Sequence, residues 1–316
     1  MTMTRNDCAR WLGEHDDYLI LTHRRPDGDT LGSAAALCLG LRQLGKAAHI
    51  LENPQTTERY RPLHEGLTVT QALPAHTLVC VDTASVSLLP DNALPLLDRI
   101  QLRIDHHGTA TPFTPLALVD STASSCGDII WDVLAQMGIT LDKVIAEALY
   151  IAVSTDTGCF RYANTNAHAY ALAAACSRAG GDLYSINQRI FDTNSLAKLR
   201  IQGWMAENTR FFRNGTMAVC AIPRAVEQQL GVTEDDMDSI SGFTRSIEGV
   251  QLAATLRELP EGKVKVSMRA VPGMDAAAVC SKFGGGGHKG AAGATLDINL
   301  EEAAQAITEA MVEIRN

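Results

Sequence analysis

The sequence predicts an α/β protein with an N-terminal doubly wound, mostly parallel sheet and a smaller C-terminal α/β domain across a cleft from it. Between residues 18 and 179, short apolar segments alternate with Ala- and Leu-rich helical segments, which is typical of a parallel sheet with helices on both faces. The pattern changes near residue 211. The chain of 316 residues also exceeds what a single core usually serves.

The elements of the first domain follow from this alternation. The predicted strands are YLILTH (18–23), AAHILE (47–52), TLVCVD (77–82), RIQLRID (99–105) and LALVD (116–120). The predicted helices are 30–44, 124–137, 141–153, 168–179 and 195–209, and Gly45 ends the first of them.

The second domain shows longer strand patterns. Its predicted strands are TMAVCAI (216–222), VQLAATLRE (250–258), KVKVSMRA (263–270) and GATLDI (293–298). Its predicted helices lie near 223–230, 234–242, 275–282 and 300–314. We expect a first domain at 1–190, a helical linker at 191–210 and a second domain at 211–316.

The composition narrows the classes of partner. The formal net charge is −9 at pH 7 and no Lys- or Arg-rich run is present, which argues against binding of long nucleic acids. The eight cysteines are scattered without a CxxC pair, as expected for free thiols in a reducing cytoplasm. Neither a membrane-span-length apolar run nor a signal-peptide core in MTMTRNDCARW (1–11) is present. We expect a cytoplasmic protein that binds small ligands, which can include phosphorylated ones.

Acidic and histidine side chains follow several predicted strands at the point where each strand ends. They are His23, Asp27, Asp29, Asp82, Asp105, His106, His107 and, at the end of a helical run, Asp156. The carboxyl ends of parallel strands share one edge of the sheet, so these groups should converge. Converging carboxylates repel one another unless they are protonated or neutralised by cations.

Oxygen and imidazole donors without thiolate favour manganese, magnesium or iron(II) over zinc. Two such ions about 4 Å apart activate water and hold the oxygens of a phosphoryl group. As an alternative, the segment PDGD (26–29) is an ordinary turn in which Asp29 or Thr30 caps the following helix.

The order of these motifs resembles that of the DHH phosphoesterases. THRRPDGD (22–29), VD (81–82), DHHG (105–108) and TDTG (155–158) match the four motifs of that family in sequence. The resemblance implies two divalent cations, with Mn²⁺ ahead of Mg²⁺ or Fe²⁺. The implied ligands are His23, Asp27, Asp29, Asp82, His106 and Asp156. It leaves open which of Asp29, Asp82 and Asp156 bridges the two ions. Asp105 would orient a histidine, and His107 would face the scissile phosphate as a donor or general acid.

A glycine-rich segment near the C-terminus is the second informative stretch. FGGGGHKGAAG (283–293) alone fits a flexible turn or an anion-binding loop. Together with the preceding VSMRA (266–270) it resembles the DHH-associated domain. The implied substrate-binding residues are Arg269, Gly286, Gly287 and His288, with Ser267, Arg245 and Arg161 as further candidates.

Within this superfamily, the length and the acidic net charge of the chain are most similar to those of the nanoRNase-like branch. Its members hydrolyse very short oligoribonucleotides to mononucleotides and often also convert 3′-phosphoadenosine 5′-phosphate to AMP. Hydrolysis of cyclic di-AMP or of a linear dinucleotide is the alternative, and a catalytically silent nucleotide sensor is a more remote one. A pyrophosphatase fits poorly, because pyrophosphate does not need the nucleotide-binding segment that the resemblance implies. A RecJ-like processive exonuclease fits poorly, because the sequence has no basic stripe. The family resemblance is also compatible with a homodimer.

Overall fold

The fold is seen in a computed structural model, which describes residues 2–108, 110–237 and 240–314. The chain divides into two compact units, Met1–Thr193 and Asn194–Asn316. This boundary falls inside the segment 191–210 for which a linker is expected.

A six-stranded sheet forms the first unit, and every pairing in it is parallel. The strands are β1 (Tyr18–Leu21), β2 (Ala48–Leu51), β3 (Thr68–Val69), β4 (Thr77–Val81), β5 (Ile100–Asp105) and β6 (Leu116–Val119). Their spatial order is β3-β2-β1-β4-β5-β6, which confirms the doubly wound prediction. The chain reverses its direction across the sheet between β1 and β4, where such folds bind ligands.

Helices cover this sheet. They are α1 (Arg5–Glu14), α2 (Gly28–Gln43), α3 (Cys126–Gln136), α4 (Lys143–Asp156), α5 (Ala167–Arg178) and α6 (Leu183–Asn187). Short 3₁₀ helices span Arg61–His64, Val86–Leu88 and Leu94–Arg99, and a π-helical turn spans Gln188–Asp192. Helix α1 was not predicted, although Thr4 and Asp7 form a capping box at its start.

Close packing of α2 against α4 positions two parts of the site. A Cβ atom at Gly32 would lie only 2.4 Å from the carbonyl oxygen of Ala148, and one at Gly28 would lie 2.5 Å from the Thr155 hydroxyl. Because both positions carry glycine, the start of α2 meets the end of α4. Asp29 in the first turn of α2 and Asp156 at the end of α4 are thereby brought to the same place.

The second unit contains a mixed six-stranded sheet of order β11-β12-β10-β9-β8-β7, in which β8 and β9 pair in parallel and the other described pairs are antiparallel. Its strands are β7 (Arg210–Phe212), β8 (Met217–Ile222), β9 (Leu252–Glu258), β10 (Val264–Ala270), β11 (Gly286–His288) and β12 (Ala291–Leu296). Its helices are α7 (Leu196–Asn208), α8 (Arg224–Leu230), α9 (Glu234–Met237), α10 (Ser241–Arg245), α11 (Ala276–Ser281) and α12 (Leu300–Glu313). Of the helix predicted at 234–242, the structure describes α9 and the start of α10, with a turn at Ile240, and residues 238 and 239 lie outside the described residues.

The glycine-rich segment is partly a strand and not only a loop. Gly286–His288 forms β11, which pairs antiparallel with β12. A Cβ at Gly285 would lie 2.2 Å from the carbonyl oxygen of Gly293, and one at Gly287 would lie 2.5 Å from that of Ala291. These two glycines are therefore required by the pairing itself, whereas a Cβ at Gly286 would meet no atom within 4 Å.

Over the residues that the structure describes, no helix is long and apolar enough to cross a bilayer.

Candidate metal centre

The loop between β1 and α2 supplies His23 and Asp27. The Nδ1 atom of His23 is 2.8 Å from the carbonyl oxygen of Arg24, so Nδ1 carries a proton and the neutral ring keeps its lone pair on Nε2. That Nε2 is 3.6 Å from Asp27 Oδ1 and 3.5 Å from Asp82 Oδ2. Asp27 also caps α2, because its Oδ1 accepts from the backbone amides of Asp29 and Thr30. The helix cap is thus Asp27 and not Asp29 or Thr30, and the cap also faces the cluster.

Asp29 is buried at the N-terminus of a second helix. Its Oδ2 accepts from the Cys126 amide at 2.7 Å, and its Oδ1 accepts from the Gly127 amide at 3.0 Å and the Ser33 hydroxyl at 3.1 Å. Burial, followed by the charges of nearby carboxylates, raises the pKa of Asp29 well above its usual value. The first turn of α3 therefore fixes a carboxylate whose charge is poorly compensated by protein groups alone.

Asp82 lies at the centre of the cluster. Its two oxygens face different histidines: Oδ2 is 3.5 Å from His23 Nε2, and Oδ1 is 3.5 Å from His106 Nε2. The residue is buried and has a left-handed backbone, with φ +53°. Its buried Oδ1 atom has no hydrogen-bond partner among the described residues. A buried anionic oxygen without a donor is costly, so this geometry fits a carboxylate that binds cations through both oxygens.

His106 and Asp156 complete the other half. His106 Nε2 is 3.6 Å from Asp29 Oδ2 and 3.8 Å from Asp156 Oδ2. Asn164 Nδ2 donates to the Asp156 carboxylate at 3.2 Å and to the carbonyl of Ser124 at 2.9 Å, so it fixes Asp156 against the start of α3. Burial and the charges of Asp82 and Asp27 outweigh the effect of His106 and raise the pKa of Asp156 to about 7. Asn164 was not among the predicted residues, and its place soon after TDTG is the signal that could have found it.

His107 and Asp105 form a pair beside the cluster. Nδ1 of His107 donates to Asp105 Oδ1 at 2.8 Å, and the backbone amide of His107 is 3.2 Å from the same oxygen. This hydrogen bond, against the opposing effect of burial, raises the pKa of His107. Asp105 is fully buried, whereas one third of the His107 side chain is exposed. The histidine that Asp105 orients is thus His107, and its Nε2 remains for other partners.

The donor atoms form three overlapping groups, each with its atoms within 4.8 Å of one another. The groups are His23 with Asp27 and Asp82, Asp29 with His106 and Asp156, and Asp82 with His106 and His107. Raised carboxyl pKa values and an unpartnered carboxylate oxygen both indicate missing positive charge. The nearby Cys126 thiol is buried and donates to the carbonyl of Ile104, so the donors are oxygen and imidazole nitrogen, as hard or borderline divalent cations prefer.

In the second unit, four of the predicted binding residues, Arg269, Ser267, His288 and Gly286, share one face of the sheet, whereas Gly287 lies in the row of the opposite face with Ala292 and Met268. Arg269 is paired with Ala291, which is in turn paired with His288. In the next row of that face, Ser267 is paired with Gly293, and Gly293 with Gly286. Directly paired residues point to the same side of a sheet. Two rows of three therefore place Arg269, Ser267 and His288 around a floor of small residues.

Of the remaining candidates, Arg245 belongs to the second unit and Arg161 to the first. Arg245 ends α10, which packs on the same face through a 3.1 Å contact between the hydroxyls of Thr244 and Thr255. Arg161, in the first unit, is exposed and its Nε donates to the carbonyl of Gly158 at 2.6 Å. Arg161 follows Gly158, Cys159 and Phe160, which all have left-handed backbones, so its backbone position is fixed by an unusual turn.

Comparison with known proteins identifies both halves of the chain. Residues 17–153 match the DHH family, N-terminal domain, and residues 214–313 match the DHHA1 domain. The chain is 33% identical to the bifunctional oligoribonuclease and PAP phosphatase NrnA of Thermus thermophilus, over 93% of this chain and 89% of that relative. It is 24% identical to the cyclic-di-AMP phosphodiesterase GdpP of Geobacillus thermodenitrificans, over 95% of this chain but 48% of that relative. An exopolyphosphatase-related protein from Bacteroides fragilis has the same fold, with a TM-score of 0.89, 22% identity and coverage of 98% and 96%.

Proposed function

The chain belongs to the DHH family and is a phosphoesterase, and we propose that it hydrolyses very short oligoribonucleotides to mononucleotides and 3′-phosphoadenosine 5′-phosphate to AMP. The observation that carries this proposal is the cluster around Asp82, in which all the expected ligands converge. The full-length similarity to a bifunctional oligoribonuclease and PAP phosphatase supports the choice of substrate. The free cysteines fit a cytoplasmic location.

We propose that the cluster holds two divalent cations, Mn²⁺ ahead of Mg²⁺ or Fe²⁺. His23 and Asp27 would hold one ion, and Asp29, His106 and Asp156 the other, with Asp82 shared between them. When bound, such a pair supplies an activated water and positive charge for the phosphoryl oxygens. Asp82 is the natural shared ligand because its two oxygens face the two halves of the cluster.

His107 would act on the phosphate directly. Asp105 accepts a hydrogen bond from Nδ1 of His107, which leaves Nε2 for the substrate. The hydrogen bond to Asp105 raises the pKa of His107, which favours the protonated, donating form of the ring. It would donate a hydrogen bond to a phosphoryl oxygen or a proton to the leaving oxygen.

The face of β10, β12 and β11 would bind the nucleotide part of the substrate. Arg269 and His288 provide cationic or donor groups at the two ends of one row, and Ala291 between them leaves room for a flat or bulky group. The exposed Gly286 permits close approach to the backbone. Arg245, Ser267, Gly287 and Arg161 are further candidates for contacts to phosphate or ribose.

A second substrate class has its own support. The similarity to a cyclic-di-AMP phosphodiesterase extends over nearly the whole of this chain, so a cyclic or linear dinucleotide is the alternative. Both substrates require the same chemistry at phosphorus, and they differ in whether a free end must be recognised.

A product time course separates these possibilities. Purified protein with Mn²⁺ is incubated in parallel with a di- to pentaribonucleotide ladder, a long RNA, 3′-phosphoadenosine 5′-phosphate, cyclic di-AMP and pyrophosphate. We expect fast release of mononucleotides from the shortest RNAs and of AMP from the bisphosphate, with little attack on the long RNA. Preference for cyclic di-AMP would establish the alternative, and absence of hydrolysis of every substrate would reject both.

A further inference from the structure

Strand β5 carries a buried charge just before the DHH motif. Arg103 is only 3% exposed and lies between the buried residues Leu102 and Ile104. A guanidinium inside a sheet is unfavourable unless its donors find acceptors. The function described so far does not use this residue, so its partners are informative.

The acceptors of Arg103 are backbone carbonyls of two different loops. Its Nη1 donates to the carbonyl of Thr111 at 2.9 Å and to that of Ala84 at 3.1 Å. Its Cζ atom lies 5.0 Å from the centre of the Phe113 ring, within the range of a cation–π contact. The two loops are also joined directly, because the Thr111 amide donates to the Ala84 carbonyl at 2.8 Å.

Each of these loops carries part of the metal cluster. Ala84 comes two residues after Asp82, and Thr111 follows the segment that carries His106 and His107. Asp82 has φ +53°, a conformation that persists only where the surrounding structure holds it. One side chain thus anchors the loop of the shared carboxylate to the loop of the two histidines.

Arg103 also lies next to the carboxylate that orients His107. Its Nη1 is 3.9 Å from Asp105 Oδ2, while Asp105 Oδ1 accepts from His107. Asp105 is fully buried, and the guanidinium is the cation that faces its second oxygen. Arg103 therefore contacts the segments that hold Asp82, His106 and His107 in place, and it contacts none of the reacting atoms.

We propose that Arg103 is a positioning residue that sets the spacing between Asp82 and the His106–His107 pair and so determines the affinity of the cluster for divalent cations. This inference rests on the proposed metal-binding function of the cluster. It does not depend on the identity of the nucleotide substrate.

The test measures Mn²⁺ binding to the full chain, by calorimetry and by the EPR signal of free Mn²⁺, for the wild type, Arg103→Met and Arg103→Lys. Methionine keeps most of the length and the contact with Phe113 but removes the charge and the donors. We expect its Mn²⁺ dissociation constant to rise about 10- to 100-fold, as is usual when a group supporting a metal ligand is lost. Lysine keeps the charge and some donors, so its dissociation constant should lie between those of Met and the wild type. In kinetics at saturating Mn²⁺, Arg103→Met should lower kcat and leave KM unchanged.

A matched control separates positioning from a general loss of stability. Leu134→Ala removes a fully buried side chain from α3, about 12 Å along the helix from the turn that binds Asp29. It should lower Tm and leave Mn²⁺ affinity unchanged. If Arg103→Met fails to fold, Arg103→Lys against Leu134→Ala decides: an increase of about threefold or more in the lysine variant alone supports the proposal.

Mn²⁺ affinity of Arg103→Met within about threefold of the wild type would overturn the inference. So would a lysine variant that binds no better than the methionine variant. A wild-type protein that binds no Mn²⁺ would instead reject the proposed metal function itself, so the two failures are distinguishable.

Discussion

Replacing Asp82 by asparagine should stabilise the metal-free protein and abolish its stabilisation by Mn²⁺. Asparagine keeps the shape of the side chain and removes its charge. Asp82 and Asp29 each have an oxygen 3.5–3.6 Å from the same His106 nitrogen, so these oxygens are at most about 7 Å apart. Two unit charges at that separation repel by about 2 kcal/mol at an effective dielectric constant of about 20.

Protonation relieves part of this repulsion. Burial and then the charge of Asp82 raise the pKa of Asp29 well above its usual value, so the repulsion is expressed more fully as the pH rises. At about pH 8, we expect Asp82→Asn to increase the free energy of unfolding of the metal-free protein by about 1–2 kcal/mol. For a chain of this size that corresponds to an increase of roughly 2–8 °C in Tm.

The assay is thermal unfolding in a chelator and then in a series of Mn²⁺ concentrations. A ligand at about 100 times its dissociation constant stabilises a protein by about 2.7 kcal/mol, so the wild type should gain a clear increase in Tm, whereas Asp82→Asn should gain little and show no hydrolysis. Asp98→Asn is the matched control, because Asp98 is an exposed carboxylate outside the cluster. If Asp82→Asn melts below the wild type in chelator and keeps the full Mn²⁺ shift, the assignment of Asp82 as the shared ligand is wrong.

Three further predictions concern protonation, substrate binding and backbone conformation. Because the pKa of Asp156 is raised to about 7, the metal-free protein should lose stability as the pH rises from about 4 to 7. For the same reason, Mn²⁺ binding near neutral pH should release protons, and calorimetry in buffers of different ionisation enthalpy measures that release. Arg269→Ala should raise KM for nucleotides with kcat unchanged, whereas Asp105→Asn should lower kcat with KM unchanged. Steady-state kinetics on 3′-phosphoadenosine 5′-phosphate measures both, and a lower kcat in Arg269→Ala with a higher KM in Asp105→Asn would refute the two assignments. Gly287→Ala should destabilise the protein by about 1–3 kcal/mol, because the backbone φ at residue 287 is +143°. Gly286→Ala should leave Tm unchanged and raise KM, and an equal loss of Tm in the two variants would refute this distinction.

The convergence of the candidate metal ligands could be predicted from the sequence, because it follows from the geometry of a parallel sheet. His23, Asp82 and His106 each come just after a parallel strand, and parallel strands end at one edge. Asp156 was harder to place, since it ends a helix. Its position follows from close packing at Gly28 and Gly32, which periodicity does not reveal.

Features that depend on pairing between distant segments could not be predicted in this way. The alignment of Arg269 with His288 across Ala291 is set by the register of three strands, and a short glycine-rich strand such as β11 has no side-chain pattern of its own. Arg103 did leave a signal, a charge at a buried position of an apolar strand. Its role depends on carbonyls of two loops, which only the folded chain brings together.

In the proposed centre, Asp82 joins two cation sites. This arrangement can be tested by anomalous diffraction at the manganese edge from crystals grown with Mn²⁺. We predict two anomalous peaks per chain, each next to one oxygen of Asp82, with His23 beside one peak and His106 beside the other. A single peak, or two peaks of which one has no contact with Asp82, would contradict the claim.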